Sequence, residues 1–178
     1  MFISDIRSKI CSLLSSLKPN EKLWFIATNY GAVDITLYCD NFKDALFHCI
    51  SHSKVSLSQV NLCIAVEVPG RDLRVEAVFD SEECTKLGYL YGLISPNGRR
   101  LLYSHIYPTC YRASITARSR TYRFVSSSIS GLHKTFLEAV KSLDMDKDDC
   151  SVEISKIVDG KVEESSTLTY YEVKKIAG

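Results

Sequence analysis

The chain has 178 residues, of which 46% are hydrophobic and 24% charged, with a net charge of +1. That length suits one domain with a sizeable core, and no apolar run approaches the roughly 18 residues of a membrane span. The seven cysteines are odd in number, widely spaced and free of any CxxC pair, which disfavours a disulfide framework or a zinc knuckle and suits free thiols in a reducing, cytoplasmic setting.

Asp5, Arg7 and Lys9 interrupt the N-terminal stretch, so no signal peptide is expected. Residues 4–17 instead predict an amphipathic helix. Ser4 can cap it, and Phe2, Ile6, Ile10, Leu13, Leu14 and Leu17 form a stripe that suits either the core or a homo-oligomer. Residues 23–28 and 33–39 read as strands joined near Tyr30-Gly31. Asp40 or Asn41 then caps a helix with Phe42, Ala45, Leu46, Cys49 and Ile50 on one face. Residues 62–68 and 71–79 form a hairpin, with Pro69-Gly70 at the two central positions of a type II turn. Residues 87–94 and 99–107 are expected as a second hairpin around Ser95-Pro96-Asn97-Gly98, and 111–118 with 121–126 as a third pair.

A shift of 90 residues repeats this pattern. Phe42, Ala45, Leu46, Cys49 and Ile50 fall on Leu132, Thr135, Phe136, Ala139 and Val140; Leu62, Ile64 and Val68 fall on Val152, Ile154 and Val158; and Gly70 falls on Gly160. A helix face, a strand pattern and a turn glycine at one offset indicate a tandem duplication. The expected fold is α+β: mostly antiparallel sheet with packed helices, built from a repeated strand-strand-helix-strand-strand unit plus the N-terminal helix. As one domain, 1–178, it divides into the helix (1–20), a first repeat (21–110) and a second repeat (111–178). At this level of architecture, duplicated strand-and-helix units forming a sheet platform resemble the Whirly-type single-strand binders.

Charge is unevenly spread. Residues 84–137 hold no Asp or Glu but carry Lys86, Arg99, Arg100, Arg112, Arg118, Arg120, Arg123 and Lys134, while the flanks carry −3 and −4. Along 111–118, Tyr111, Ala113, Ile115 and Ala117 face one way and Arg112, Ser114, Thr116 and Arg118 the other. The next strand adds Arg123, with Arg120 at the turn. The preceding hairpin offers Tyr103, His105 and Tyr107 on one face, with Tyr89, Tyr91 and Tyr122 nearby. Guanidinium groups bind phosphates as charged bidentate donors, and aromatic rings on strands stack with unpaired bases. The expected function is therefore sequence-independent binding of single-stranded nucleic acid, RNA ahead of DNA. The proposed contacts are Lys86, Arg99, Arg100, Arg112, Arg118, Arg120, Arg123, Tyr103 and Tyr107. The alternative is a protein-interaction module, such as an adaptor or a host-directed factor of a virus or phage, whose basic face meets an acidic protein.

Other motifs are weaker. Asp144, Asp146, Asp148 and Asp149 resemble a calcium loop, but its sixth position is Asp149 rather than glycine and its twelfth is Ser155 rather than Glu, so a solvated connection is expected. His48 and His52 stand one helical turn apart without a third ligand following at short spacing. Ser126-Ser127-Ser128 reads as a helix cap. No Walker, GxSxG or HExxH pattern occurs, so neither an enzyme, a metal, a cofactor nor a membrane partner is expected.

Overall fold

The computed structural model describes residues 3–29, 35–53, 60–99, 101–117 and 120–178. Helix α1 (Ile3–Ser16) precedes a first unit of β1 (Lys22–Asn29), β2 (Leu37–Cys39), α2 (Phe42–Ser53), β3 (Val60–Glu67), β4 (Arg74–Phe79) and α3 (Ser81–Leu90). A one-turn helix, α4 (Tyr103–Ile106), leads into a second unit of β5 (Thr109–Ala117), β6 (Arg120–Ser126), α5 (Ile129–Ser142), β7 (Ser151–Val158), β8 (Lys161–Thr169) and α6 (Tyr170–Ala177). Each unit forms a four-stranded antiparallel sheet, in the orders β2-β1-β3-β4 and β6-β5-β7-β8. The fold is thus α+β, with one topology used twice.

The repeated helix face holds. Phe42, Ala45, Leu46, Cys49 and Ile50 are buried, and so are Leu132, Thr135, Phe136, Ala139 and Val140. Both turn glycines take positive φ, 71° at Gly70 and 79° at Gly160. Arg71 N–H donates to the Val68 carbonyl at 3.2 Å, closing the type II turn that Pro69-Gly70 encodes. Asp159 joins Gly160 at positive φ, as a two-residue type I′ hairpin requires. At the first strand the offset contracts to 88, because Ile64 pairs with Phe25 whereas Ile154 pairs with Ala113.

The expected hairpin over 87–94 and 99–107 does not form. Residues 81–90 are helix α3, because Asp80 and Glu83 make a reciprocal capping box. Cys84, Leu87 and Gly88 then present a helical stripe to the core. The turn at Ser95-Pro96-Asn97-Gly98 does exist, with Gly98 N–H donating to Ser95 O at 2.8 Å, but it joins irregular segments. Residues 103–106 are the short helix α4 rather than strand. Helix α6, which sequence periodicity did not suggest, is the second unit's counterpart of α3 and begins with the same device, Thr169 and Glu172. The repeated unit is therefore strand-strand-helix-strand-strand-helix. The Tyr30-Gly31 turn lies outside the described residues.

Each sheet has its own core. Ile6 is buried, and Ile10, Leu13 and Leu17 pack with α2 and α3 on one face of the first sheet, so this part of the α1 stripe serves the core, whereas Leu14 is exposed and Ser4 lies inside the helix rather than capping it. Helices α5 and α6 cover one face of the second sheet. Each fully buried Leu, Ile or Phe contributes roughly 1.5–3 kcal/mol to these cores. The units join where α5 lies along β2, the edge strand of the first sheet. Tyr38 N–H donates to the buried Thr135 hydroxyl at 3.0 Å, so the exposed ladder of an edge strand is satisfied by a helix side chain. Gly131 permits this approach, since a Cβ there would collide with the Tyr38 carbonyl. Among the described residues no helix is long and apolar enough to cross a membrane.

Candidate functional site

Strand β5 carries the alternation read from its sequence. Ala113 and Ile115 are buried, whereas Arg112 and Thr116 are exposed on the opposite face. Register places Ser114 opposite Arg123 on β6, and Arg112 opposite Val125. Arg112 and Arg123 are therefore diagonal neighbours, about 7–8 Å apart at the backbone. On the other side of β5, Ser114 faces Glu153 and Arg112 faces Ser155 on β7. Thr121, Ser151, Ser165, Thr167 and Thr169 continue this face across β6, β7 and β8. Thr116 and Thr121 are joined at 3.4 Å, and Ser155 and Ser165 at 3.1 Å. Because α5 and α6 pack on the opposite side, the result is an open face of hydroxyls around two arginines. Neither Arg112 nor Arg123 forms an ion pair with a described residue. The face is not free of carboxylate, as the charge count of 84–137 suggested, because strand pairing imports Glu153 beside Ser114.

The other expected contacts lie elsewhere. Lys86 is on α3, bound to Glu82 at 2.8 Å one helical turn away. Arg99 is exposed at the end of the 95–98 turn beside the first unit. Arg120 starts β6, while its side chain, Arg100 and Arg118 lie outside the described residues. Tyr103 on α4 and Tyr107 just past its end pack against each other one turn apart, ring centroids 5.1 Å apart, with Tyr103 also against Phe47. Their hydroxyls donate inward, Tyr103 to Asp44 at 2.9 Å and Tyr107 to Asn41 at 3.1 Å. They form part of a seam rather than an aromatic row beside Arg112. Tyr91 packs on Phe42, Tyr122 packs on the second core, and Tyr89 and His105 are exposed on α3 and α4.

Sequence reasoning missed that seam. Asn41 caps α2 by accepting from Asp44 N–H at 2.8 Å, which leaves the Asp44 carboxylate at the buried head of the helix. Its Oδ2 accepts from the Ser126 hydroxyl (3.3 Å), the Ser127 hydroxyl (3.0 Å) and Ser127 N–H (3.1 Å). Asp40 accepts from the Ser128 and Ser130 hydroxyls and pairs with Lys22 at 3.3 Å. The serine run is thus a cap, with Ser128 accepting from Gly131 N–H, and also a clamp on the first unit. Burial alone would raise the Asp44 pKa, but the adjoining His48 and the donors from Ser127 and Tyr103 outweigh it and hold the carboxyl below its ordinary range. Burial, reinforced by Asp44, pushes the Tyr103 hydroxyl far up and keeps it a donor. Cys39 and His48 adjoin Asp44, all three buried, with one ligand atom from each within 4.8 Å of the others. The available signal was Cys39, Asp44 and His48 around one helix start, an upstream pairing that a search forward from His48 does not reach.

Beyond the seam a cleft of about 730 Å³ opens, lined by Lys22, Trp24, Glu67, His133, Lys134 and Lys174 among others. Lys134 donates to Glu67 at 2.5 Å across it. No protein-family model, curated protein or solved structure matches this chain. The topological resemblance to Whirly-type binders therefore gains no support from them.

Proposed function

We propose that the protein binds nucleic acid through the sugar-phosphate backbone along the open face of the second sheet, with little dependence on sequence. The observation that supports this is the face itself: Arg112 and Arg123 stand without an ion pair to a described residue among Ser114, Thr116 and Thr121, on the face opposite the one that α5 and α6 cover. Arginine and hydroxyl side chains are the usual donors to phosphate and sugar oxygens. Single strands fit better than duplex, because a flat sheet offers no helix to enter a groove. RNA is placed ahead of DNA because the many hydroxyls can meet the 2′-OH. Tyr103 and Tyr107 drop out of the stacking role, since their hydroxyls are engaged at the seam.

Fluorescence anisotropy with unrelated labelled oligonucleotides at three salt concentrations tests the reading. Changing Arg112 and Arg123 together to Ala should weaken binding to all of them by similar factors. It should also flatten the salt dependence by about 1.4 log units per log unit, two contacts at roughly 0.7 each for single strands. No binding by the parent protein at the lowest salt would end the proposal.

A protein-interaction module is the second reading, favoured by a different observation. On edge strand β4, Val75 and Val78 are 55% and 56% exposed, beside Cys63 and Leu73 at the apolar end of an outer face whose other end carries Lys22 and Glu67. If the oligonucleotides do not bind while Val78→Asp abolishes capture of a partner protein, that reading replaces the first.

A further inference from the structure

We infer that Cys39, Asp44 and His48 form a structural zinc site at the head of α2. Three features converge there. First, His48 Nε2 is sealed from solvent and has no hydrogen-bond partner. Its residue is only 5% exposed, and an unpaired buried imidazole nitrogen is a cost that a ligand would relieve. Second, that nitrogen sits 3.4 Å from Asp44 Oδ1. Zinc bonds of ~2.0–2.2 Å to N and O at a tetrahedral angle give an edge of about 3.4 Å. Third, Cys39 is buried and its thiol makes no hydrogen bond with a described residue, which Cys39 shares with Cys110 but not with Cys49, Cys84 and Cys150, each of which donates to a backbone carbonyl.

The carboxylate is divided to suit this. Oδ2 is occupied by the three donors from Ser126 and Ser127, whereas the Tyr103 hydroxyl is the one hydrogen bond on Oδ1. The three donor atoms lie within 4.8 Å of one another. Bringing sulfur onto a zinc sphere with a 2.3 Å bond needs a closure of roughly 1 Å. A thiolate, an imidazole and a carboxylate select zinc over magnesium or calcium, whose sites are built from oxygen. A fully enclosed site is structural, since a catalytic zinc keeps an open position for water or substrate. The ion would pin β2 and α2 together while Asp44 holds the Ser126–Ser127 segment of the second unit.

The test uses the whole chain without an affinity tag, purified from zinc-supplemented culture. Elemental analysis should find about one zinc per chain. Cys39→Ser and His48→Gln should lower it to background, and Cys63→Ser, outside the cluster, should retain it. Should those variants fail to fold, the parent protein alone decides. Cobalt(II) added after chelation should produce a thiolate-to-cobalt charge-transfer band, and the chelator should lower Tm by several degrees because metal bound to the native state stabilises it. A zinc-free parent whose Tm ignores both zinc and chelator overturns the inference, and so does cobalt binding without a thiolate band.

Discussion

The two repeated helices place neighbouring polar side chains on the same turn. Asp44 and His48 on α2 correspond, 90 residues on, to Lys134 and Glu138 on α5, and each pair is spaced i,i+4. Both turns reach the other unit: Asp44 takes donors from Ser126 and Ser127, and Lys134 reaches Glu67 at 2.5 Å. The difference is burial. Asp44 is fully enclosed, whereas the Lys134 side chain keeps 18% of its exposure. The sheets diverge in the same manner. The outer face of the first is mainly apolar, built on Trp24, Ile26, Tyr38 and Ala65 with Lys22 and Glu67 at one end, while that of the second carries arginine and hydroxyl side chains. One backbone plan has been retained, and what changed is the set of side chains that meet the other unit or the solvent.

If burial governs the comparison, the two turns should differ sharply in energy. Asp44→Ala strands buried donors on Ser126, Ser127 and Tyr103 and should cost about 3–5 kcal/mol of unfolding free energy in urea titrations. Lys134→Ala removes a pair that water still reaches and should cost only about 1 kcal/mol. Equal losses would mean that burial does not distinguish the two turns.

Glycine sharpens the same contrast. At Gly131 an added Cβ runs into the Tyr38 carbonyl, which is backbone and cannot rotate away. Gly131→Ala should therefore cost about 1–3 kcal/mol. At Gly88 the added Cβ meets the Cδ1 atoms of Ile50 (2.5 Å) and Ile94 (2.8 Å), side-chain tips that can shift. Both glycines lie in helices, so the propensity gain from alanine does not separate them, and the yielding contacts make Gly88→Ala the milder change. A reversed order in thermal or urea melts would place the rigid contact between α2 and α3 rather than between the units.

The sequence carried the two-fold plan because it rests on periodicity and turns: the stripe on α2 and α5, the alternation on β5, and Gly70 and Gly160 all obey local rules. Helices α3 and α6 were missed although their signals are local too. Asp80 with Glu83 and Thr169 with Glu172 are capping boxes, but Leu87, Tyr89 and Tyr91 mimic a strand's alternation. The site was legible only in part. Arg112, Ser114 and Thr116 share a face by strand period alone. Glu153 lies 39 residues from Ser114 in sequence and enters the face through β-pairing, which no local pattern encodes. Tyr103 and Tyr107 switched from an exposed row to the seam because one helical turn, not strand spacing, relates them.

Acid should open the seam at its outer end. Burial alone would raise the Glu67 pKa, but Lys134 and Trp24 donate to the carboxylate and bring it below its ordinary value of 4.5. A depressed pKa in the folded state contributes stability that is present above pH 4.5 and lost as pH falls through the folded value. Glu67→Gln should therefore flatten the dependence of Tm on pH below about 4.5, while leaving the slope at neutral pH unchanged. An unaltered acid limb would show that Glu67 titrates alike in the folded and unfolded chain.

The smallest expected effect bears most directly on function. Glu153 is exposed and flanks Ser114 opposite Arg123, so it stands on the face assigned to phosphate. A carboxylate there repels the nucleic-acid backbone and partly neutralises the arginine field. Its removal in Glu153→Gln should tighten oligonucleotide binding by roughly 1.4- to 5-fold, the reach of an exposed charge interaction of about 0.2–1 kcal/mol. The gain should shrink as salt rises, since exposed charges are screened beyond about 10 Å at 0.1 M. It should also shrink in an Arg112→Ala, Arg123→Ala background, where phosphate no longer lies against this face, and a mutant cycle reads that coupling directly. The first sheet supplies the control. Glu76, on strand β4 of that sheet, should change affinity little when converted to Gln. Tighter binding from Glu76→Gln with none from Glu153→Gln would move the nucleic acid to the first sheet and leave the arginine face for a protein.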